Sequence, residues 1–356
     1  MRIVVAMSGG VDSSVAAALL AEQGHDVIGL SMQLYDQSDG QTSFGSCCTL
    51  DDLHDARRVA AAISIPHYIV NFERQFNEQV VSNFVREYAS GRTPLPCAHC
   101  NSDLKFATLV ERAQGFGADA VATGHYARVE HDAVTGRYRL SRGLDPAKDQ
   151  AYFLFSLTQD QLARAVFPVG DRPKDAVREY ARRRQLPVAN KPDSQEICFI
   201  PDNDYASFVA KQAPDAAREG AIVDEQGRVV GTHDGIHRFT VGQRKGLGLG
   251  SSRAGTPMYV LQLRAADQRV VVGPRSSLEQ TRLTASGVNW IVGEPTGPIR
   301  AHAQIRHRHV AAAATIRSTG RTSAAVEFAA PQIAVTPGQA VVFFDGDTVL
   351  GGGWID

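Results

Sequence analysis

The stretch Ser8-Gly9-Gly10-Val11-Asp12-Ser13 combines two adjacent glycines with three polar side chains. The residues before it, Arg2 to Met7, predict a buried strand, and Ser13 to Gln23 predicts a helix. Glycines let successive backbone amides converge on one anion, and the positive end of the helix dipole favours negative charge there. The turn therefore predicts a phosphate site. A Walker A loop needs a lysine after its glycines, and this sequence has none there, so a different phosphate loop is indicated.

Three cysteines fall in two separate segments that could carry sulfur chemistry. Cys97 and Cys100 belong to Pro96-Cys97-Ala98-His99-Cys100-Asn101, and Cys198 belongs to Glu196-Ile197-Cys198-Phe199. Two thiols in different loops suit sulfur relay, because one can carry a persulfide while the other resolves it as a disulfide. All three could instead hold a four-iron four-sulfur cluster with one iron open to sulfide. A buried, inert role is the remaining alternative for each thiol.

The bulk composition excludes several classes of protein. A chain of 356 residues with 43% hydrophobic and 21% charged residues is typical of a globular protein with two or three domains, and not of a disordered one. Its apolar runs are all shorter than the roughly 18 residues of a spanning helix, and its start lacks a secretory pattern. We therefore expect a cytoplasmic protein without a membrane partner. Adjacent Cys47 and Cys48 are expected to be structural, since neighbours cannot easily ligate one metal.

Charge is nearly balanced overall but concentrated locally. The net charge of -1 argues against uniform attraction to nucleic acid. However, Arg172 to Lys191 holds seven basic residues against two acidic ones, and Ile299 to Arg321 holds five arginines and no acidic residue. These clusters predict contacts to the phosphates of a polyanion, with solvated faces as the alternative. His302, His307 and His309 are expected to alternate along one strand of the second cluster.

The first half of the chain predicts a parallel sheet covered by helices, because strand-like and helix-like segments alternate. Strands are expected at Asp26 to Met32, His67 to Asn71 and Ala120 to Thr123, and helices at Asp51 to Ala62, Glu73 to Ser90, Asp103 to Phe116 and Ala151 to Phe155. Ligands of such sheets bind beyond the carboxyl ends of the strands, where Ser8 to Asp12 and Gly124-His125 are expected. From about Gly220 onward, short β-branched runs predict a small β-rich domain and then a β-barrel. The expected domains are 1–205, 206–279 and 280–356.

The pattern Ser-Gly-Gly-x-Asp-Ser resembles the PP-loop of the ATP pyrophosphatases. Further landmarks extend the resemblance over nearly the whole chain: Asp55 to Ala60, Gly91-Arg92-Thr93-Pro94, Cys100-Asn101 with Lys105-Phe106, Ala122 to Tyr126, Lys148 to Phe153, Ser194 to Ile200, Thr240 to Gly248, and Pro337-Gly338-Gln339-Ala340. On these residues the chain resembles the bacterial tRNA-specific 2-thiouridylases. The resemblance implies an N-terminal PP-loop domain of the adenine nucleotide alpha hydrolase type. It also implies ATP-dependent thiolation of the wobble uridine in the tRNAs for glutamate, glutamine and lysine.

The resemblance also implies roles for individual residues. The implied ATP-binding residues are Ala6, Met7, Ser8, Gly9, Gly10, Val11, Asp12, Ser13, Met32 and Gly124. The implied nucleophile is Cys100, and the implied persulfide carrier is Cys198. The implied tRNA contacts are His125, Lys148, Asp149, Gln150, Arg306, His307 and Gln339. The family pattern further implies Mg²⁺ with the ATP, and a persulfide donor protein that is either a cysteine desulfurase or a sulfur relay protein.

The chain departs from much of this family at one position. Leu95-Pro96-Cys97 replaces Asn-Pro-Asp, so an acid that could assist proton transfer is missing and Cys97 is a third thiol. Two other functions are weighed against thiolation. An amide-forming synthetase of the PP-loop class would adenylate a carbonyl without needing Cys100 or Cys198. An RNA-binding module would hold phosphate in the glycine loop without turnover.

Overall fold

The fold is described from a computed structural model over residues 1–34, 50–193, 197–200, 204–249 and 257–356. The α-helices are α1 (Val11–Glu22), α2 (Leu50–Ala62), α3 (Glu73–Phe76), α4 (Ser82–Ala89), α5 (Pro96–His99), α6 (Thr108–Gly115), α7 (Gln159–Leu162), α8 (Lys174–Arg183) and α9 (Tyr205–Gln212). The strands are β1 (Arg2–Ala6), β2 (Asp26–Gln33), β3 (His67–Asn71), β4 (Ala120–Ala122), β5 (Ala127–Asp132), β6 (Arg137–Arg142), β7 (Ala165–Val166), β8 (Gly220–Val223), β9 (Val229–His233), β10 (Tyr259–Arg264), β11 (Arg269–Gly273), β12 (Glu279–Asn289), β13 (Ile299–Gln304), β14 (Ala312–Gly320), β15 (Ser323–Ile333), β16 (Ala340–Asp345) and β17 (Thr348–Ile355).

The chain divides into two compact units. Unit 1 comprises Met1–Val80, Cys97–Asn203 and Gly346–Gly351, and unit 2 comprises Val81–Pro96, Asp204–Asp345 and Gly352–Asp356. Within the described residues, no helix is long and apolar enough to cross a membrane.

Unit 1 is built on a parallel sheet with the strand order β3-β2-β1-β4-β7. Ile3, Val4 and Val5 of β1 are almost completely buried, as expected of a parallel strand covered on both faces. The order reverses between β1 and β4, so the carboxyl ends of these two strands flank the topological switch point where such sheets bind ligands. The glycine loop follows β1, and Thr123 and Gly124 follow β4, which confirms the expected position of both segments.

Helix α1 is the central covering helix of unit 1. Its residues Val11 and Ser13 to Leu20 are buried, and it packs against α2, α8, β1 and β2. Five of these residues are alanine or serine, whose small side chains let the neighbouring helices and strands approach closely. Because the helix is covered in this way, it has no polar face. In the same unit, β5 and β6 form an antiparallel hairpin, and β6 pairs with Thr348 and Val349.

Unit 2 contains the two β-structures expected for the second half. A four-stranded sheet has the order β10-β11-β8-β9, and its core includes Ile222, Val260 and Val270. The strands β12-β15-β14-β13-β16-β17 follow one another in a sheet that closes through β12–β17 pairing, for example Ala285 with Ile355. Closure removes exposed edges, and the combination of a parallel-sheet domain, a small β domain and a barrel is confirmed.

Three local expectations need correction. The helix expected from Asp103 starts earlier, because Cys100–Lys105 already forms a π-helical turn before α6. The segment expected as a helix after Gln150 is a short 3₁₀ turn, Ala151–Leu154. The expectation that His302, His307 and His309 share one strand is wrong. Strand β13 ends at Gln304, and His307 and His309 lie in the turn that follows.

Candidate nucleotide and thiol site

The glycine loop between β1 and α1 has a backbone that other residues could not adopt. Gly9 has φ +72°, and a Cβ atom there would lie 2.2 Å from the carbonyl oxygen of Asp52 in α2. The Ser13 hydroxyl accepts a hydrogen bond from the amide of Ser8 at 3.2 Å and donates to the Gly10 carbonyl at 3.2 Å. Gly10, the residue before α1, has no side chain to satisfy the first amides of the helix. The loop thus presents helix N-terminal donors to an anion.

The end of β4 lies directly against this loop. A Cβ atom at Gly124 would be 2.5 Å from the amide nitrogen of Ser13 and 2.7 Å from the carbonyl carbon of Asp12. Glycine is therefore required at position 124 for steric reasons. Met32, another of the implied ATP-binding residues, is 7% exposed near the end of β2.

Asp12 is the most strongly bonded side chain of the loop. The hydroxyl of Tyr126 donates to its Oδ1 at 2.8 Å, and Nζ of Lys174 lies 2.8 Å from both carboxylate oxygens. Lys174 also contacts Oδ1 of Asp193 at 2.8 Å. Burial and the charge of Asp12 raise the pKa of Tyr126 above its ordinary value, so Tyr126 stays a donor. Lys174 was not expected at this site, although a lysine in the first turn of a helix, at the unfavourable end of the dipole, indicates an acidic partner.

The basic stretch from Arg172 to Lys191 is largely neutralised within unit 1. Besides Lys174, Arg178 contacts Asp193 at 2.7 Å, and Lys191 contacts both Asp52 and Asp55 at 2.6 Å. Burial alone would lower the pKa of Lys191, but its hydrogen bonds to these two carboxylates outweigh burial and raise it. Ion pairs thus occupy all three side chains, and phosphate binding by this stretch remains a prediction.

The segment with Cys97 and Cys100 is held by hydrogen bonds of Asn101, the residue after Cys100. Cys97 is exposed in α5, whereas Cys100 is 7% exposed at the start of the π-helical turn. The Asn101 amide donates to the Phe153 carbonyl at 3.1 Å and its oxygen accepts from Nζ of Lys105 at 3.1 Å. π-Helical turns recur at functional sites, and Cys100 is the first, buried residue of this one.

His125 links this turn to the end of β4. Its ring lies 6.4 Å from that of Phe106 and 6.1 Å from that of Phe167, between ring centroids. Nδ1 is 2.7 Å from the hydroxyl of Thr123. Burial, helped by the charge of Lys105, lowers the pKa of His125 to about 3. The imidazole is therefore neutral at physiological pH and can act by hydrogen bonding or stacking rather than by charge.

Cys198 lies in a short turn that is anchored by the next residue, Phe199. The amide of Ile200 donates to the Ile197 carbonyl at 3.1 Å, and the ring of Phe199 packs edge-on against Phe76 of α3 at 5.4 Å. Cys198 itself is partly buried. Because α3 also packs against the turn Cys100–Lys105, both cysteine segments contact the same helix.

The donor geometry gives no support to the iron-sulfur alternative. Among the described residues, which include Cys97, Cys100 and Cys198, no group of three His, Cys, Asp or Glu side chains could hold a metal ion. The arrangement of the three thiols thus does not fit a cluster. Cys47 and Cys48 lie outside the described residues.

Lys148, Asp149 and Gln150 have partners within unit 1. Asp149 caps the 3₁₀ turn through the amide of Ala151 at 3.1 Å and contacts Arg142 at 2.6 Å. The Gln150 oxygen accepts from the amide of Tyr126 at 3.0 Å. Lys148 contacts Asp193 at 2.6 Å, and 36% of its side chain is exposed. Lys148 is thus the most accessible of the three to an external phosphate.

Unit 2 contains the other expected tRNA contacts. Arg306 and His307 are exposed in the turn after β13, where Arg306 donates to the Ile333 carbonyl at 3.1 Å. The amide of Gln339 donates to the carbonyls of Thr93 at 3.0 Å and Pro94 at 3.1 Å. Gln339 thus binds the segment that leads into α5, whereas the arginine remains accessible from solvent.

Family models match almost the entire chain. Residues 1–202 match a tRNA methyl transferase HUP domain, residues 206–274 a tRNA methyl transferase PRC-barrel domain, and residues 280–355 an aminomethyltransferase beta-barrel domain.

Three curated relatives match the chain over nearly their full length and share one name. The chain is 54% identical to a tRNA-specific 2-thiouridylase MnmA of Geotalea uraniireducens, over 100% of this chain and 95% of the relative. It is 51% identical to that of Koribacter versatilis, over 99% and 98%, and 52% identical to that of Solibacter usitatus, over 99% of both. The chain belongs to the tRNA-specific 2-thiouridylase family.

Proposed function

We propose that this chain uses ATP to replace the C2 oxygen of the wobble uridine of tRNA with sulfur, giving 2-thiouridine, AMP and pyrophosphate. The observation that carries the proposal is the double contact made by the end of β4. Gly124 lies against Asp12 and Ser13 of the phosphate-binding loop, while the next residue, His125, packs on Phe106 beside the Cys100 turn. A nucleotide in the loop and a thiol of the turn can therefore serve one substrate.

The first step activates a poor leaving group. The uridine O2 attacks the α-phosphorus of ATP, so that a C2–O–P bond forms while the bond to pyrophosphate breaks. Ala6, Met7, Ser8, Gly9, Gly10, Val11, Asp12, Ser13, Met32 and Gly124 form the proposed ATP site. The α1 amides stabilise the negative charge that develops on the phosphates. Mg²⁺ enters with the nucleotide, because this ion binds mainly to substrate phosphates and water.

The second step transfers sulfur. The terminal sulfur of a Cys198 persulfide attacks C2, the C2–O bond breaks, and AMP leaves with the oxygen. The Cys100 thiolate then attacks Sγ of Cys198, which releases the thiocarbonyl of the base and leaves a Cys100–Cys198 disulfide. An external dithiol reduces this bond. Disulfide formation requires the two Cα atoms to come within about 7 Å. The sulfur source is a persulfide donor protein, either a cysteine desulfurase or a sulfur relay protein.

The proposed RNA contacts are His125, Lys148, Asp149, Gln150, Arg306, His307 and Gln339. Exposure supports Lys148, Arg306 and His307 as phosphate or base contacts. The neutral ring of His125 is suited to a base that is splayed from the anticodon stack. We propose the tRNAs for glutamate, glutamine and lysine as substrates, and the cytoplasm as the location. Matches to residues 1–202, 206–274 and 280–355 support domains at 1–205, 206–279 and 280–356.

The test is to incubate the protein with unmodified tRNA, ATP and a persulfide source and to weigh the digested nucleosides. We expect a mass gain equal to sulfur minus oxygen at the wobble position, together with AMP. AMP release that persists in the Cys100→Ser and Cys198→Ser variants, with no gain of sulfur by the tRNA, would favour an amide-forming synthetase. A gain equal to a methylene group would instead indicate methyl transfer. RNA binding without AMP release would indicate a binding module.

A further inference from the structure

Lys174 is a buried cation at the start of α8. Only 8% of its side chain is exposed, and its backbone amide donates to Asp145 at 2.9 Å. Burying an ammonium group is costly unless it is paired and hydrogen-bonded. The carboxylates that Lys174 contacts offset this cost.

The ammonium group joins two segments that are distant in sequence. It lies 2.8 Å from both carboxylate oxygens of Asp12, in the glycine loop, and 2.8 Å from Oδ1 of Asp193. Two of these contacts are hydrogen bonds to Asp12, and the third is an ion pair with Asp193. Asp193 precedes Cys198 by five residues. Lys174 is thus the direct connection between the proposed nucleotide loop and the chain that leads to Cys198.

A nucleotide in the loop would disturb this arrangement electrostatically. The phosphates of ATP bring several negative charges next to Asp12, and like charges a few ångströms apart repel strongly in a partly buried site. The charge of Lys174 compensates Asp12, and the incoming phosphates compete with Asp193 for the same ammonium group. Asp193 can release Lys174 at low cost, because Lys148 at 2.6 Å and Arg178 at 2.7 Å also contact it.

We propose that Lys174 is a positioning residue that couples nucleotide occupancy of the Ser8–Asp12 loop to the segment carrying Cys198, by shifting between Asp193 and the bound phosphates. The proposal rests on the proposed function only in assigning ATP to the glycine loop. It predicts that ATP alone, without tRNA or a sulfur donor, changes the reactivity of the Cys198 thiol.

The test measures the rate at which iodoacetamide alkylates Cys198, followed by mass spectrometry of the Cys198 peptide. The probe is an ATP analogue that cannot be cleaved between the α- and β-phosphates, added with Mg²⁺. We expect the analogue to change the wild-type rate several-fold. Lys174→Met should abolish this response and raise the KM for ATP by about tenfold or more. Lys174→Arg, which keeps the charge, should restore part of both.

Two further variants distinguish the contact between Lys174 and Asp193 from general charge effects. Asp193→Asn weakens the attraction to Lys174 but leaves Asp12 paired. It should therefore lose the response of Cys198, while the KM for ATP stays at the wild-type value or falls below it, because Asp193 no longer competes with the phosphates for Lys174. This variant keeps the test informative even if Lys174→Met fails to fold. Arg178→Met removes another cation from Asp193 without touching Asp12, so it should retain the response. Lys211→Met, an exposed lysine in α9, is the matched control.

The proposal is overturned if the analogue leaves wild-type Cys198 alkylation unchanged. It is also overturned if Lys174→Met and Asp193→Asn respond as the wild type does, or if Arg178→Met loses the response as completely as Lys174→Met. The proposed function is judged separately by the nucleoside mass assay. Thiolation with no nucleotide response would reject the coupling alone, whereas a nucleotide response without thiolation would reject the proposed function alone.

Discussion

The ring of Phe76 meets the edge of the Phe199 ring at 5.4 Å between centroids and an interplanar angle of 78°. Phe76 is 1% exposed and ends α3, the helix that also packs against the Cys100–Lys105 turn. The residue after Cys198 is therefore anchored on the same short helix that supports Cys100. This shared support is the structural reason to expect that the two thiols can meet.

Phe76→Leu should uncouple the two thiols without disturbing nucleotide binding. The smaller side chain leaves a cavity and removes the aromatic contact, which we expect to lower the free energy of unfolding by about 1–3 kcal/mol. Thiolation should slow by about tenfold or more, while the KM for ATP stays the same. Denaturant titration and nucleoside analysis measure the two effects.

Phe84→Leu is the matched control, because Phe84 is equally buried but packs on Phe208 in unit 2. It should lose similar stability and keep the transfer rate. An equal loss of thiolation in both variants would mean that general destabilisation, rather than the support of Cys198, causes the defect.

Gly124→Ala should disrupt the nucleotide loop. The added methyl group would lie 2.5 Å from the Ser13 amide nitrogen, so the backbone must shift, at a cost of about 1–3 kcal/mol. The KM for ATP should rise, because the α1 amides no longer converge on the phosphates. Gly115→Ala adds the same methyl group where nothing lies within 4 Å, and it should leave both stability and the KM near the wild-type values. A Gly124→Ala enzyme with unchanged KM would remove Gly124 from the ATP site.

Because His125 is buried as a neutral ring, the free energy of unfolding should fall in acid. Burial lowers its pKa from 6.5 to about 3 in the folded state, so the unfolded chain binds one more proton between these values. Stability is therefore fully present above pH 6.5 and is lost as the pH falls toward 3. When the pH falls from 7 to 5, the free energy of unfolding should fall in both proteins. The fall should be about 1–2 kcal/mol smaller in His125→Gln than in the wild type.

Urea unfolding at the two pH values measures this difference. The acid-dependent loss should not vanish in the variant, because burial also lowers the pKa of His67, His233, His237 and His309. His131→Gln, at an exposed position of β5, is the control. If His125→Gln and His131→Gln show the same pH dependence, His125 is not buried as a neutral ring.

Arg306 and Gln339 should affect tRNA binding differently. Arg306→Ala should weaken affinity and reduce the slope of log affinity against log salt by about 1, because one phosphate contact is lost. Gln339→Ala should leave the slope unchanged and lower the free energy of unfolding by about 1–3 kcal/mol, because two backbone carbonyls lose their donor. Filter binding at several salt concentrations and thermal unfolding measure these effects. An unchanged slope for Arg306→Ala would exclude it as a phosphate contact.

The sequence was sufficient for features that depend on local pattern. The parallel strands β1 to β4 follow from apolar runs, and the position of the glycine loop follows from its place after a strand. Lys174 was not predicted as part of the site, because its partner Asp12 is 162 residues away and a lysine within a basic cluster resembles a solvated residue. The contact between Phe76 and Phe199 was missed for the same reason. Long-range pairs of this kind depend on tertiary packing, which no local pattern encodes.

The central claim is that Cys100 and Cys198 meet during sulfur transfer, and it is tested by non-reducing mass spectrometry after one turnover. The wild-type enzyme, with a Cys198 persulfide, ATP and tRNA, should yield a Cys100–Cys198 disulfide in proportion to the 2-thiouridine formed. Omission of ATP or tRNA should prevent both. Cys97→Ser should form the disulfide and the product as the wild type does. Stoichiometric 2-thiouridine with no Cys100–Cys198 disulfide, or with a disulfide that requires Cys97, would contradict this account.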